Sequence, residues 1–176
     1  MFNVQAVIRR FFVPAPLVSL ICYVRFRAFV SPRAEVELSP LLRIGRRSRI
    51  SSFAKIKATH GPLTIGSDVN IASGVFISAQ KSGVVIGDYT MIGPNCTIVS
   101  GMYRHEDLEK PIVQQGLVSK GTRIGRNVFI GANSVVVDGA RLGSGVIVAP
   151  GSVVSGKIPD NVLIQGNPAR VIFERR

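Results

Sequence analysis

From Ile44 onward, aliphatic residues return every sixth position: Ile44, Ile50 and Ile56; Ile65, Ile71 and Ile77; Ile86, Ile92 and Ile98; then Ile124, Ile130, Val136, Leu142, Val148 and Val154. Glycine follows the aliphatic residue at 45, 66, 87, 93, 125, 131 and 143. Four places after it stands a small or β-branched residue, as at Ser48, Ala54, Val69, Val75, Thr90, Cys96, Val128, Ser134, Ala140, Val146 and Ser152. A six-residue unit is too short for a helix and its turn, but it accommodates a short strand and a sharp corner, repeated as the faces of a solenoid with the aliphatic side chains stacked inside. The interruptions fix the cross-section. The steps 56 to 65 and 77 to 86 are nine residues and the step 98 to 124 is twenty-six, and each follows three regular units. The spacing therefore predicts an all-β solenoid of triangular section with about five coils (44–64, 65–85, 86–123, 124–141 and 142–158), every insertion leaving from the same corner.

Residues 1–31 form a different segment. Phe2, Val4, Val7, Ile8, Phe11, Phe12, Val13, Leu17, Val18, Leu20, Ile21, Tyr23, Val24, Phe26, Phe29 and Val30 crowd between Arg9, Arg10, Arg25 and Arg27. The longest uncharged run, Phe11 to Val24, is 14 residues and contains Pro14 and Pro16, whereas a spanning helix needs about 20 apolar residues. Arg25 and Arg27 also stand where a signal peptide would carry its small-residue cleavage site. The expectation is one or two short helices, interrupted at the prolines. They either contact a membrane peripherally, as an interfacial anchor does, or pack within the protein or its oligomer. The organisation expected is thus an N-terminal helical segment (1–31), a β-helix (32–160) with an inserted loop (102–123), and a tail (161–176).

Composition narrows the partners. The 176 residues are 46% hydrophobic and 18% charged, which fits an ordered domain, and 22 basic against 10 acidic residues give a net charge of +12 that favours anionic ligands. Arg43, Arg46, Arg47 and Arg49 form a dense run on the first coil, read as a solvated face or as a contact for anionic lipid. Nucleic acid is disfavoured, because no helix-turn-helix or aromatic platform interleaves with the charge. Cys22 and Cys96 are too few and too distant for a disulfide framework or a zinc site; both read as small apolar residues in a reducing compartment.

Solenoid walls are repetitive, so chemistry is expected in the long loop. It holds His105, one of two histidines, with Glu106, Asp107, Glu109 and Lys110 beside it. An imidazole is the side chain best suited to remove a proton near neutral pH, and one of the three acids is the expected group to orient its ring. His60, where the chain leaves for its first bulge, reads as a structural corner residue.

The runs Ile65-Gly-Ser-Asp-Val-Asn, Ile86-Gly-Asp-Tyr-Thr-Met and Ile124-Gly-Arg-Asn-Val-Phe-Ile-Gly-Ala-Asn-Ser-Val-Val resemble the hexapeptide-repeat acyltransferases over about residues 32–172. That resemblance implies a left-handed parallel β-helix, a homotrimer with sites between neighbours, and acetyl-CoA as co-substrate without a metal. Glu106-Asp107-Leu-Glu-Lys-Pro111-Ile-Val-Gln-Gln115-Gly116 is similar to the loop of bacterial polysaccharide and xenobiotic O-acetyltransferases, in which a histidine just upstream is catalytic. Many relatives place it three residues before the acidic pair. Tyr103 occupies that place here and His105 follows two positions later, so either the loop presents His105 or the catalyst is degenerate. The run Gly166-Asn-Pro-Ala-Arg170 resembles the family's C-terminal signature and implies a phosphate contact for Arg170, with Gly131 and Ala132 offering backbone to the pantetheine arm. Lys157 is displaced by one from the family's basic residue, and Phe129 stands where relatives carry Trp. Asn95 and Tyr103 are the implied substrate-side residues. The resulting expectation is a cytoplasmic bacterial O-acetyltransferase, with a possible place on the inner face of the cytoplasmic membrane. Its acceptor would be a sugar hydroxyl on a polysaccharide, lipopolysaccharide or lipid-linked glycan precursor. The alternatives are a silent β-helix scaffold and an acetyltransferase for an antibiotic or soluble sugar.

Overall fold

Strands of two or three residues give each face one inward side chain per coil, and the six-residue period places an aliphatic group there every time. In the computed structural model, which describes residues 14–58 and 60–176, the strands stack into three parallel ladders. The first face carries Phe29–Val30, Arg49–Ile50, Asn70–Ile71, Met91–Ile92, Phe129–Ile130, Ile147–Val148 and Val162–Gly166. Glu35–Val36, Lys55–Lys57, Phe76–Ser78, Thr97–Val99, Val135–Val136 and Val153–Val154 make the second. Leu42–Ile44, Leu63–Ile65, Val84–Ile86, Thr122–Ile124, Arg141–Leu142 and Lys157–Ile158 make the third. All fifteen aliphatic positions of the period are buried, each isoleucine among them contributing about 1.5–3 kcal/mol through the surface it removes from water.

The second position of the repeat is small because the coils touch there. A Cβ on Gly87 would lie 2.5 Å from the Gly125 carbonyl oxygen of the next coil, closer than real Cβ contacts allow. Small polar corner residues point inward and satisfy the neighbouring backbone: Ser48 Oγ donates to Gly66 O (2.7 Å) and Thr90 Oγ1 to Gly125 O (3.1 Å).

The ladder extends beyond the five coils marked out from Ile44. Val30 and Val36 already keep the six-residue step and pair with Ile50 and Ile56, the third face follows eight residues on at Ile44, and Phe29–Val30 pairs with Arg49–Ile50 inside the stretch read as the N-terminal segment. At the other end Val162–Gly166 adds a rung to the first face, and Ala169–Glu174 folds back on it antiparallel, covering its edge. The longer connections among the described residues leave between the second and third faces, at 37–41, 60–62, 79–83 and 100–121; His60 sits exposed in the second of these bends.

Helix α1 (Ala15–Phe26) closes the N-terminal end. Pro14 precedes it and Pro16 lies in its first turn, where a missing N–H costs nothing, so the prolines start this helix rather than break it. Cys22 is fully buried, with Val18 and Phe26 packed against the same core. The apolar residues of 1–13, with Arg9 and Arg10, lie outside the described residues. No helix among the described residues is long and apolar enough to cross a membrane.

Candidate active site

The inserted loop begins as a two-stranded ribbon. Met102–Tyr103 pairs antiparallel with Leu117–Val118, and Arg104 N donates to Gly116 O at 3.0 Å. Its base is tied to the solenoid by Thr122 Oγ1, which donates to Val99 O (2.7 Å), and by the Asp138 carboxylate, which accepts from the amides of Lys120 and Gly121 (both 2.9 Å). Beyond the ribbon, Gln115 clips the tip: its Nε2 donates to Asp107 O (2.6 Å) and Lys110 O (2.8 Å), and its Oε1 accepts from Asp107 N (3.0 Å). The Asp107 carboxylate pairs with Lys110 Nζ at 3.0 Å and accepts from Glu109 N.

His105 stands exposed on this arm. Its Nδ1 lies 3.2 Å from the Tyr103 carbonyl oxygen, which only accepts, so the bond requires the proton on Nδ1 and, in the neutral imidazole, makes Nε2 the basic nitrogen. The expected carboxylate partner is absent from the ring. Glu106 accepts instead from the His105 backbone amide (3.1 Å), Asp107 is engaged with Lys110, and the ring is steered by main chain two residues upstream. Hydrogen bonds from the amides of Glu106 and His105 hold the Glu106 carboxyl below its ordinary range, with His105 and Arg104 adding smaller attractions. Arg104, Glu106, Asp107, Lys110, Gln114 and Gln115 line a shallow polar hollow of about 330 Å³ beneath the tip. A larger one, about 440 Å³, lies away from the loop beside α1; the loop hollow is the one next to the titratable groups.

The remaining predicted residues gather elsewhere. Asn95, Gly131 and Ala132 lie on the corner between the first and second faces, with Asn95 and Asn133 at positive φ (58° and 59°) in successive coils. Asn tolerates that conformation because its short polar side chain bonds locally. Asn95 Oδ1 occupies the space over Gly74, where a Cβ would come within 2.1 Å of it. Gly131 is likewise taken up by stacking: its amide donates to Val148 O (2.8 Å), and a Cβ there would meet Pro150 N at 2.5 Å. Its lack of a side chain therefore serves the coil contact before any ligand. Ala132 is half-buried beside it, and Arg170 is exposed on the terminal strand, opposite Gln165. The structure thus joins His105 and Tyr103 on one corner and Asn95, Gly131 and Ala132 on another. The second face, from Asn95 to Ser100, separates them by about 16 Å of extended chain.

A family model described as "Bacterial transferase hexapeptide (six repeats)" matches residues 121–156, the coils immediately after the loop. Residues 121–156 thus carry the repeat that this model describes. Among proteins similar to this hexapeptide-repeat chain, one from Mycobacterium tuberculosis named "Probable acetyltransferase" is 30% identical over 155 residues, covering 86% of this chain and 51% of the relative. An Escherichia coli protein named for O-acetyl transfer in lipopolysaccharide biosynthesis is 29% identical over 156 residues, 85% of this chain and 76% of the relative. The chain spans about half the length of the first of these. A solved N-acyltransferase from Bacillus cereus, in complex with dTDP and coenzyme A, has the same fold, with a TM-score of 0.75 at 21% identity over 89% of this chain and 88% of that one.

Two roles escaped the sequence reading. Gln115 was visible only as part of a motif, and Tyr103 was read by its side chain, whereas it holds the ring through its carbonyl, which carries no side-chain signal. A glutamine half-buried at the end of an exposed run, 108–114, is the physical mark of such a clip.

Proposed function

We propose that the protein is an acetyl-CoA-dependent O-acetyltransferase acting on a sugar hydroxyl. One observation carries the reading: the single long break in the repeat is an arm that holds the exposed His105 by Nδ1, which leaves Nε2 of the neutral ring as the base. The acceptor hydroxyl attacks the thioester carbonyl directly, Nε2 takes its proton, backbone amides stabilise the oxyanion, and the coenzyme leaves as its thiol. No covalent enzyme intermediate is needed. The polar hollow under the tip, with hydrogen-bonding groups of both signs, suits a sugar, and the names of the relatives support a glycan acceptor.

Acetyl-CoA lies along the corner of Gly131 and Ala132, with Arg170 receiving a phosphate. Gly131 and Arg170 are about three rungs apart, roughly 14 Å, a reach that an extended pantetheine arm spans. Base and groove lie on different corners of one chain, so the site is completed between copies in a homotrimer. With the second face turned toward a threefold axis, the loop corner of one copy adjoins the groove corner of the next. In the outward row of that face, Glu35, Lys55, Phe76, Thr97, Val135 and Val153, the last four are apolar but for Thr97 and only half-exposed in the single chain, which suits burial of that part of the face. Asn95 and Tyr103 then approach the acceptor from neighbouring subunits.

The test is coenzyme A release from acetyl-CoA across a panel of mono- and oligosaccharide acceptors, with the product mass measured. An acetyl ester on one acceptor is the expected result. Release from none, or a stable particle of 18.9 kDa in solution, contradicts the reading and moves a scaffold role to first place.

A further inference from the structure

Helix α1 is apolar on all sides. Of its twelve residues only Ser19 and Arg25 lack an apolar or aromatic side chain. Val18 and Phe26, with the buried Cys22, face the solenoid at four-residue spacing. Leu17, Leu20 and Val24 recur at three- and four-residue steps on the outer surface, where Leu20 is 56% and Val24 67% exposed. A helix on the surface of a water-soluble domain ordinarily presents a polar outer face; one that is apolar all round has a partner on each side. Among the described residues the solenoid is its partner, on one side only.

The surroundings specify the other. Arg25 lies over the Phe26 ring (4.9 Å) and Arg27 over Tyr23 (5.9 Å), while Arg49 is the registered neighbour of Phe29 on the first face. These arginines rim the outer face, and residues 1–34 contain no Asp or Glu. Within residues 14–68 there are nine Lys and Arg against three acids, so half of the net charge of +12 sits at the helix-capped end. A second copy docked here in a twofold contact would bring Arg25 and Arg27 against their own equivalents. Residues 1–13 add Arg9 and Arg10 and no acid, so they reinforce this character rather than neutralise it. The complementary surface must be apolar in depth and anionic at its face.

We infer that the α1 end of the protein docks on an anionic lipid bilayer, with Leu17, Leu20 and Val24 entering the headgroup boundary and Arg25, Arg27 and Arg49 meeting lipid phosphates. Twelve residues rise about 18 Å, short of a hydrocarbon core of about 30 Å, so the helix lies on the membrane and does not cross it. This docking is independent of the acyl-transfer reading, since no loop or groove residue takes part.

The full chain is tested by flotation with vesicles of phosphatidylcholine alone, and with vesicles containing about one-third phosphatidylglycerol. Wild type binds the anionic vesicles at least roughly tenfold better, and salt weakens that binding. Leu20→Glu with Val24→Glu lowers binding roughly tenfold or more, and Arg25→Gln with Arg27→Gln removes most of the anionic preference. Circular dichroism melts control for folding; should the glutamate pair unfold the chain, Val24→Ser at its exposed position gives the same reading with a smaller loss. Equal binding to both vesicle types, or wild-type binding by the folded glutamate variant, overturns the inference. So does a drop in particle mass, instead of in vesicle binding, on introducing the glutamates, because the helix face would then be a contact between copies.

Discussion

Replacing Gln115 with Ala separates loop order from solenoid stability. The change removes three hydrogen bonds, Nε2 to Asp107 O and Lys110 O and Oε1 from Asp107 N. Each has a net worth of about 0.5–1.5 kcal/mol. Solvent reaches this half-buried site and replaces part of what is lost, so the lower half of that range applies, about 1.5–3 kcal/mol for the three together. At 1.4 kcal/mol per decade, the equilibrium for opening the tip rises roughly tenfold to a hundredfold. No core residue is touched, and the melting temperature moves by less than about 2 °C. Hydrogen exchange of residues 104–116 reads the first quantity, with the Asp107 amide losing protection by that factor, and turnover falls in parallel because His105 is held less often. Gln115→Glu is no rescue, since a carboxylate faces two carbonyl oxygens where Nε2 donated. Unchanged exchange in the Ala variant would refute the clip. A fall in melting temperature beyond about 5 °C would show the arm to be part of the cooperative solenoid.

Gly131→Ala drives a Cβ to within 2.5 Å of Pro150 N and 2.8 Å of Val148 O, both backbone atoms that cannot move aside, and a thermal or urea melt is expected to register a loss of about 2–4 kcal/mol. Burial pushes the Cys22 thiol up to about 11, against a smaller opposing pull from Arg25; it stays protonated and inert to thiol reagents at pH 8 in the native protein and reacts promptly once unfolded, whereas rapid native labelling would mean that α1 detaches. Arg170→Ala is expected to raise KM for acetyl-CoA more than it lowers kcat, since a phosphate contact remote from the thioester binds ground and transition states alike; unchanged coenzyme A affinity would remove it from the groove.

The solenoid was legible because the inward position of each strand recurs as an aliphatic residue and the corners recur as small ones, so the geometry writes itself into the chain at a fixed period. Its first coil was harder to see. Val30 and Val36 keep the step, but they stand in an apolar crowd without the glycine that marks later corners, and the next residue in register, Ile44, comes eight residues on. The loop announced itself by length, and His105 by residue type. The ring partner did not, because a carbonyl leaves no trace in residue identity, and the acids proposed for that task bind main chain or Lys110 instead. Asn95 and Gly131 show the converse: their residue types answer to a left-handed corner and to coil stacking, whatever else they touch.

The central claim is that Nε2 of His105 removes the acceptor proton during acetyl transfer. It is tested most directly by the rate of coenzyme A release from acetyl-CoA, at saturating acceptor, in His105→Ala against wild type, with Tyr103→Phe as the companion. A loss of roughly a hundredfold to ten-thousandfold is expected for His105→Ala, at an unchanged melting temperature because the residue is exposed. Tyr103→Phe keeps the carbonyl that holds the ring and loses little. Full activity in folded His105→Ala would contradict the account.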